Sequence, residues 1–460
     1  MTERFAPTFA MILVLIATAA ARADGEWPQW RGPSGSGAAA ADADPPTQWN
    51  PKHNVKWKVR IPGSGTSTPI VWGERVFIQT AVPTAAKEAA TLADDAFADV
   101  ATCLLQDRGR RGGRGPGGFG GGAPAPTTTY RFALLCIDRK TGKTLWDQSA
   151  RTVIPHEGHH RDHGFSSHSP VTDGAHVWAY FGSRGLHCYD MTGKRIWDKD
   201  LGKQSTRNSF GEGSSPALHG DTIVVNWDHE GDDFIVAFDK LTGNEKWRQK
   251  RDEPTTWTTP IIVEHAGKAQ VIVAGTNRVR AYDLASGKEI WHAPGLTQNV
   301  IPTPIAADGI VYLTSGFRGA ALYAVKLGRE GDLTGTDAIL WTREKSTPYV
   351  PSPLLASGTL YMFAGNVGRL SAIEAKTGKV LLDGQRIDRL DNVYASPVAA
   401  KDRLYFVGRD GTTIVMRHAG GDKLQEVAVN ELNEGVDASP AIAGKEIFLR
   451  GRENLYCIAE

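Results

Sequence analysis

Apolar residues along this chain fall in short runs bounded by Gly, Asp, Asn and Thr, as in Ile310-Val311-Tyr312-Leu313 and Leu404-Tyr405-Phe406-Val407. Short alternating runs with turn signals about every ten residues predict an all-β protein. The runs recur in a fixed order. Each copy opens with a Ser/Thr-Pro pair: Thr68-Pro69, Ser169-Pro170, Ser215-Pro216, Thr259-Pro260, Thr303-Pro304, Ser352-Pro353, Ser396-Pro397 and Ser439-Pro440. After a first interval of 101 residues the prolines stand 46, 44, 44, 49, 44 and 43 apart. Each copy carries a short first strand, a turn and a second strand. A Gly-rich hairpin and a third strand follow, then a Thr/Ser-Gly turn and a fourth strand that usually ends in Trp. A period of roughly 44 residues with four strands predicts a β-propeller.

Counting copies predicts eight four-stranded antiparallel blades. The last copy ends after Leu455-Tyr456-Cys457-Ile458 and lacks a fourth strand, while Val55-Lys56-Trp57-Lys58-Val59 matches that strand and precedes the first copy. Pairing the two ends closes the ring and removes two exposed strand edges. The expected organisation is a leader over 1–23, an N-terminal extension over 24–54 and the propeller over 55–460. Within blade one, residues 107–126 are rich in Gly, Pro and Arg and too poor in apolar side chains to fold, so they are expected to form a disordered surface loop. Arg108, Arg110, Arg111 and Arg114 leave open that this loop tethers acidic polymers.

The segment joining the third and fourth strands has the form Ala-x-Asp-x-x-(Thr/Ser)-Gly-Lys-x-x-Trp. It runs from Cys136 and Asp138 through Thr141, Gly142 and Lys143 to Trp146. It recurs with Asp190, Thr192, Gly193 and Trp197, with Asp239, Thr242, Gly243 and Trp247, and with Asp283, Ser286, Gly287 and Trp291. Trp341 is expected to play the same part in blade five, and Leu381 replaces the Trp in blade six. This pattern resembles the tryptophan-docking motif of the pyrroloquinoline-quinone (PQQ) propeller repeat family. That family includes quinoprotein alcohol dehydrogenases and the propeller lipoprotein of the outer-membrane barrel-assembly machinery. The opening Trp27-Pro28-Gln29-Trp30-Arg31-Gly32-Pro33 is similar to the start of secreted bacterial members. The job of the motif is structural: Gly permits a tight turn and Trp packs a large flat surface on the neighbouring blade.

Composition narrows the context. Arg4, the apolar stretch Phe9–Ala20 and Ala21-Arg22-Ala23 make a signal peptide with cleavage near Ala23, too short to span a bilayer, and no later segment is apolar enough to cross one. A periplasmic or secreted protein is expected. The chain has 52 basic and 51 acidic residues; removing Glu3, Arg4 and Arg22 with the leader leaves 50 of each, which argues against nucleic acid as a partner. Of the four cysteines, Cys136, Cys188 and Cys457 fall at one repeat position that elsewhere holds Ala, so small buried residues are expected there rather than disulfides.

Candidate chemistry gathers before the first strands and in the hairpins between second and third strands. In the quinoprotein relatives these share the face that carries the cofactor. Five of the 13 histidines (His156, His159, His160, His163 and His168) fall within 13 residues that also hold Glu157 and Asp162. Imidazole and carboxylate at this spacing suit a divalent metal, held for instance by His159, His163 and Asp162, or acid–base work. No H-E-x-x-H signature is present, and a solvated rim loop is the plain alternative. Arg184, Arg278, Arg318, Arg369, Arg409 and Arg452 occupy hairpins of six blades, where they would line a basic mouth for carboxylates or sulfates unless they simply face solvent. Asn208, Trp257, Asn299, Tyr349, Asn392, Tyr394 and Asp437 would complete the rim. The resemblance suggests that Trp257 stacks under a quinone, with packing as its alternative.

Three functions are consistent with these features. The first is a non-catalytic binding or scaffold module of the cell envelope, whose rim recognises a protein or an anionic glycan. The second is a divergent dehydrogenase using PQQ and Ca²⁺, against which stand the absence of adjacent cysteines and of a matching Glu-Asn-Asp set. The third is a metal-dependent enzyme built on the His156–His168 loop.

Overall fold

The computed structural model describes residues 25–84, 121–418 and 423–460. The signal peptide, Cys103 and the 107–120 part of the blade-one insertion therefore lie outside the described residues. Among the described residues, eight sheets form an eight-bladed propeller, seven of four antiparallel strands and one with a fifth, parallel strand. Blade one, for example, consists of Ile70–Trp72, Arg75–Thr84, Thr129–Asp138 and Thr144–Val153. In blade eight the first three strands are Ala441–Ala443, Glu446–Arg450 and Asn454–Ile458. The fourth is Val55–Arg60, which pairs with the third as Trp57↔Cys457 and Val59↔Leu455. The ring closes with no unpaired end in that blade.

The docking motif works as a joint between blades. Trp57, Trp146, Trp197, Trp247 and Trp341 each donate their indole N–H to a carbonyl in the turn of the next blade: Arg139, Met191, Lys240, Leu284 and Ala375. The motif glycine of that next blade lies flat under the indole. A Cβ on Gly142, Gly193, Gly243, Gly287 or Gly378 would come within 2.5–2.8 Å of the ring, and each has a positive φ. Glycine is thus required twice over, by the turn and by the close approach of the ring. The motif Asp folds the turn, as when Asp138 Oδ1 accepts from the backbone N and hydroxyl of Thr141.

Two positions depart from the repeat. Trp291 donates to Gln270 of its own blade instead. The turn it would dock on is replaced by a longer loop, from which Gly331–Asp332 adds a parallel strand beside Trp291 and His292. In blade six the register places Leu382, and not the expected Leu381, opposite Ala372; Leu382 stands five residues after Thr377, the spacing that separates Thr141 from Trp146. Cys136, Cys188 and Cys457 are buried and free, each facing its docking Trp across the sheet.

The Ser/Thr-Pro pairs form a collar around the channel. From one blade to the next, the backbone N–H of the Ser/Thr donates to the hydroxyl of the equivalent residue, with two breaks. The chain of bonds runs from Thr68 to Ser169, Ser215 and Thr259, then from Thr303 to Ser352, Ser396 and Ser439. Six of the eight steps are made, at 2.9–3.0 Å. The collar hydroxyl thereby satisfies a buried backbone donor that the next blade could not reach with its own backbone.

The N-terminal extension closes the far end of the channel. Trp27 is fully buried and bridges to Val71 of blade one, and Thr172 of blade two donates to the carbonyl of Pro28. Trp30 donates to the Thr303 hydroxyl at 2.9 Å, and Arg31 donates to the carbonyls of Pro353 and Pro397. Ser36 and Ala38 then bond to the first strands of blades six and seven. Arg31 is almost completely buried among neutral groups, which depresses its guanidinium to about 9. Among the described residues, no helix is long and apolar enough to cross a membrane.

Candidate functional site

The channel holds a cavity of about 810 Å³, inside the ~300–1,000 Å³ range of small-molecule sites. Trp30 stands at its base and seven collar hydroxyls, all except that of Thr68, line its lower wall. Above them five aromatic residues contribute from different blades: Phe210, Trp257, Phe317, Tyr349 and Tyr394. Phe317 and Tyr349 stack at 4.7 Å with 25° between planes, and Phe210 lies 6.5 Å from Trp257. Asn208 and Asn299 enter the left-handed region with φ of 52° and 53°, which Asn tolerates, and so turn the incoming segments. Trp257 is held by its indole N–H on the carbonyl of Gly211 at 2.6 Å and by its backbone N on Val300.

The histidine loop joins blades one and two and brings its tip to residues of blades seven and eight. Arg409 donates to Asp162 at 3.2 Å and to Asp437 at 2.5 Å, while the Tyr394 hydroxyl donates to Asp162 at 3.4 Å. The Arg409 guanidinium also sits 3.9 Å over the Tyr394 ring, a cation–π contact. Burial, then the Asp162 charge, push the Tyr394 phenol up to about 12, with Arg409 opposing them. The loop is thus latched to partners 232 and 247 positions away.

The histidines have separate surroundings. His160 and His163 line the cavity, with His160 edge-on to Phe210 at 5.3 Å. His163 Nδ1 is 2.8 Å from the Ser167 hydroxyl; burial, then the nearby His159 and His160, hold this imidazole down at about 3. His168 is buried against Tyr180 and is likewise lowered to about 3, chiefly by burial. His156 bonds to the carbonyl of Gln204, and His159 to that of His160. Among the described residues, no group of three His, Cys, Asp or Glu is arranged to hold a metal ion. Asp162 faces Arg409, and His163 faces Ser167.

The six hairpin arginines differ just as much. Arg184 is buried, paired with Glu212 at 2.7 Å and packed over Phe132, so it does not reach the rim. Arg409 is half-buried and committed to two carboxylates. Arg452 is exposed and shares Asp437 at 3.6 Å; Arg278, Arg318 and Arg369 are exposed, with Arg318 over the Phe317 ring. Of the residues named from sequence, His160, His163, Asp162, Trp257, Tyr349, Tyr394 and Asp437 meet at the cavity, whereas Asn299 is buried behind it and Asn208 is exposed. Trp30, Phe210, Phe317 and the collar hydroxyls went unpredicted. The Ser/Thr-Pro repeat was a visible signal for the collar; the two phenylalanines had only their position beside named rim residues. Residues 121–123 also reach the cavity, where Gly122 bonds to Asn208 and Ala123 to His159, so this end of the insertion is packed.

Comparison with known proteins places the fold. Solved structures similar to it include BamB from Moraxella catarrhalis, with a TM-score of 0.52 and 14% identity over 71% of this chain and 93% of that one. Quinohemoprotein alcohol dehydrogenase from Comamonas testosteroni gives a TM-score of 0.59 and 10% identity over 94% of this chain and 80% of the other. Quinohemoprotein alcohol dehydrogenase ADHIIG from Pseudomonas putida HK5 gives 0.54 and 10% over the same shares. At these identities the likeness is one of fold. No curated protein sequence matches the chain. A family model described as outer membrane protein assembly factor BamB matches residues 131–381 and 263–460, and with this span and the repeated docking joints the chain belongs to the PQQ-like β-propeller family.

Proposed function

We propose that this protein is a non-catalytic binding propeller of the cell envelope whose ligand is held at the channel mouth. The observation that carries this reading is the aromatic-walled cavity closed below by Trp30. The titratable groups around it are already committed. Asp162 is paired with Arg409 and Arg161, Asp437 with Arg409 and Arg452, and Glu212 with Arg184, while His163 is too weak a base near 3 to take a proton at neutral pH. The family's description as an outer-membrane assembly factor supports an envelope setting, with a partner protein meeting the exposed rim. An anionic glycan is less well served, because Arg409 and Arg161 at the cavity already face carboxylates.

The quinone-dependent reading draws on the fold likeness and on Trp257 in the cavity wall. The residues present do not fit the whole group. The mouth carboxylates that would ligate Ca²⁺ are bound to Arg409, and no adjacent cysteines exist to cover a quinone.

The test is a titration of the mature protein with PQQ, with and without Ca²⁺, followed by tryptophan fluorescence and by dye-linked alcohol oxidation. The binding reading expects no turnover. Ca²⁺-dependent micromolar binding with turnover, lost in Trp257→Ala, would overturn it.

A further inference from the structure

We propose that the group seated in this cavity is a sugar ring, the uncharged end of a glycan. This rests on the binding reading above and adds the chemical class of the ligand.

The collar supplies the first argument. Each of its cavity-lining hydroxyls accepts one hydrogen bond, from a backbone N–H or, at Thr303, from the Trp30 indole. Among the described residues, none of these hydroxyls donates its own proton to the protein. A serine or threonine hydroxyl has one proton and two lone pairs, so each keeps one donor and one acceptor site. All seven of these residues line the cavity. A simple anion would use only the donors, and an apolar ligand would use neither and leave polar groups buried at a cost of about 1–3 kcal/mol each. A polyol uses both, because every sugar hydroxyl is likewise donor and acceptor.

The wall supplies the second argument. Directly above the collar the aromatic residues Phe317, Tyr349, Trp257 and Phe210 offer apolar surface on separate blades. A sugar ring has apolar C–H faces and a polar rim, so it can lay a face on an aromatic ring while its hydroxyls point at the collar. The charge at the mouth supplies the third. Asp162 and Asp437 are offset by Arg409 and by Arg161, which lines the cavity 3.8 Å from Asp162; these four charges sum to zero and give no net attraction for a sulfate or a uronate. Hydroxyl collar, aromatic wall and balanced charge together select an uncharged ring.

Calorimetric titration of the mature protein tests this with defined probes: cellotriose, xylotriose, maltotriose, chitotriose, a galacturonate trimer and PQQ. The expected result is micromolar-to-millimolar binding of at least one neutral trisaccharide, little changed between 0.05 and 0.5 M salt. Phe317→Ala and Tyr349→Ala should each weaken it at least tenfold; circular dichroism identifies a variant that fails to fold, and the other then decides. If only the galacturonate trimer or PQQ binds, and Phe317→Ala abolishes that binding, the sugar-ring assignment fails while the binding cavity stands. If no probe binds, the assignment and the cavity reading both fall.

Discussion

The outer joints and the channel mouth are built from the same eight blades under opposite rules. At the outer wall one solution is repeated. A Trp of one blade lies on a Gly of the next and donates to a turn carbonyl, at five joints with one geometry. At the mouth the side chains differ from blade to blade: blade three brings Phe210, blade four Trp257, blade six Tyr349 and blade seven Tyr394, and the histidine loop is tied down by Asp162. Repetition makes a closed ring from short strands, and the loops it frees carry the individual surface. The collar lies between these regimes, repeated in its backbone bond and facing the cavity with its hydroxyls.

Substitutions can break this division. The largest effect is expected at the outer wall. Trp247→Ala removes a buried indole and its bond to Leu284, and should lower stability by about 3–5 kcal/mol in denaturant unfolding. Next comes Gly287→Ala, with φ of 73° and a Cβ placed 2.5 Å from the Trp247 ring. Its cost should reach about 2–3 kcal/mol, adding overpacking to backbone strain. Gly220→Ala is the control: φ is 56° and nothing lies within 4 Å of the new Cβ, so about 1 kcal/mol is expected. Equal losses at both glycines would show that the indole contact does not matter.

Acidification probes the histidine loop. His163 and His168 are depressed from 6.5 to about 3 by burial, so the unfolded chain takes up protons that the folded chain refuses. Their contribution is complete above about pH 6.5 and is lost progressively as pH falls towards 3. Going from pH 7.5 to 5.5 should cost roughly 1 kcal/mol for each, and His168→Asn should flatten that slope in unfolding measured against pH. The smallest effect is at the collar. Ser396→Ala leaves the Ser352 N–H without an acceptor, costing about 1 kcal/mol, which Ser396→Thr should restore.

Legibility in the sequence followed the same division. Blade number, ring closure by Val55–Arg60 and the docking tryptophans could be read because each recurs, and recurrence turns a weak local pattern into a strong one. The docking position of blade six was legible too: Leu382, not Leu381, stands five residues after Thr377, as Trp146 does after Thr141. Arg184 looked like its five counterparts, but only the fold brings Glu212 and Phe132 to it. The contact of Asp162 with Arg409 and the Trp30 base of the cavity join residues 247 and 273 positions apart, and no local spacing encodes either.

Ligand-induced stabilisation tests the central claim most directly. It is measured by denaturant unfolding of wild type, Trp247→Ala and Phe317→Ala, with and without the tightest-binding neutral trisaccharide at 100 times its Kd for wild type. A ligand that binds only the folded state adds about 2.7 kcal/mol at that concentration. The account predicts that increment for wild type and for the weakened Trp247→Ala, and about half of it or less for Phe317→Ala. An equal increment in all three would place the ligand elsewhere on the propeller, and none in wild type would contradict the assignment of the cavity.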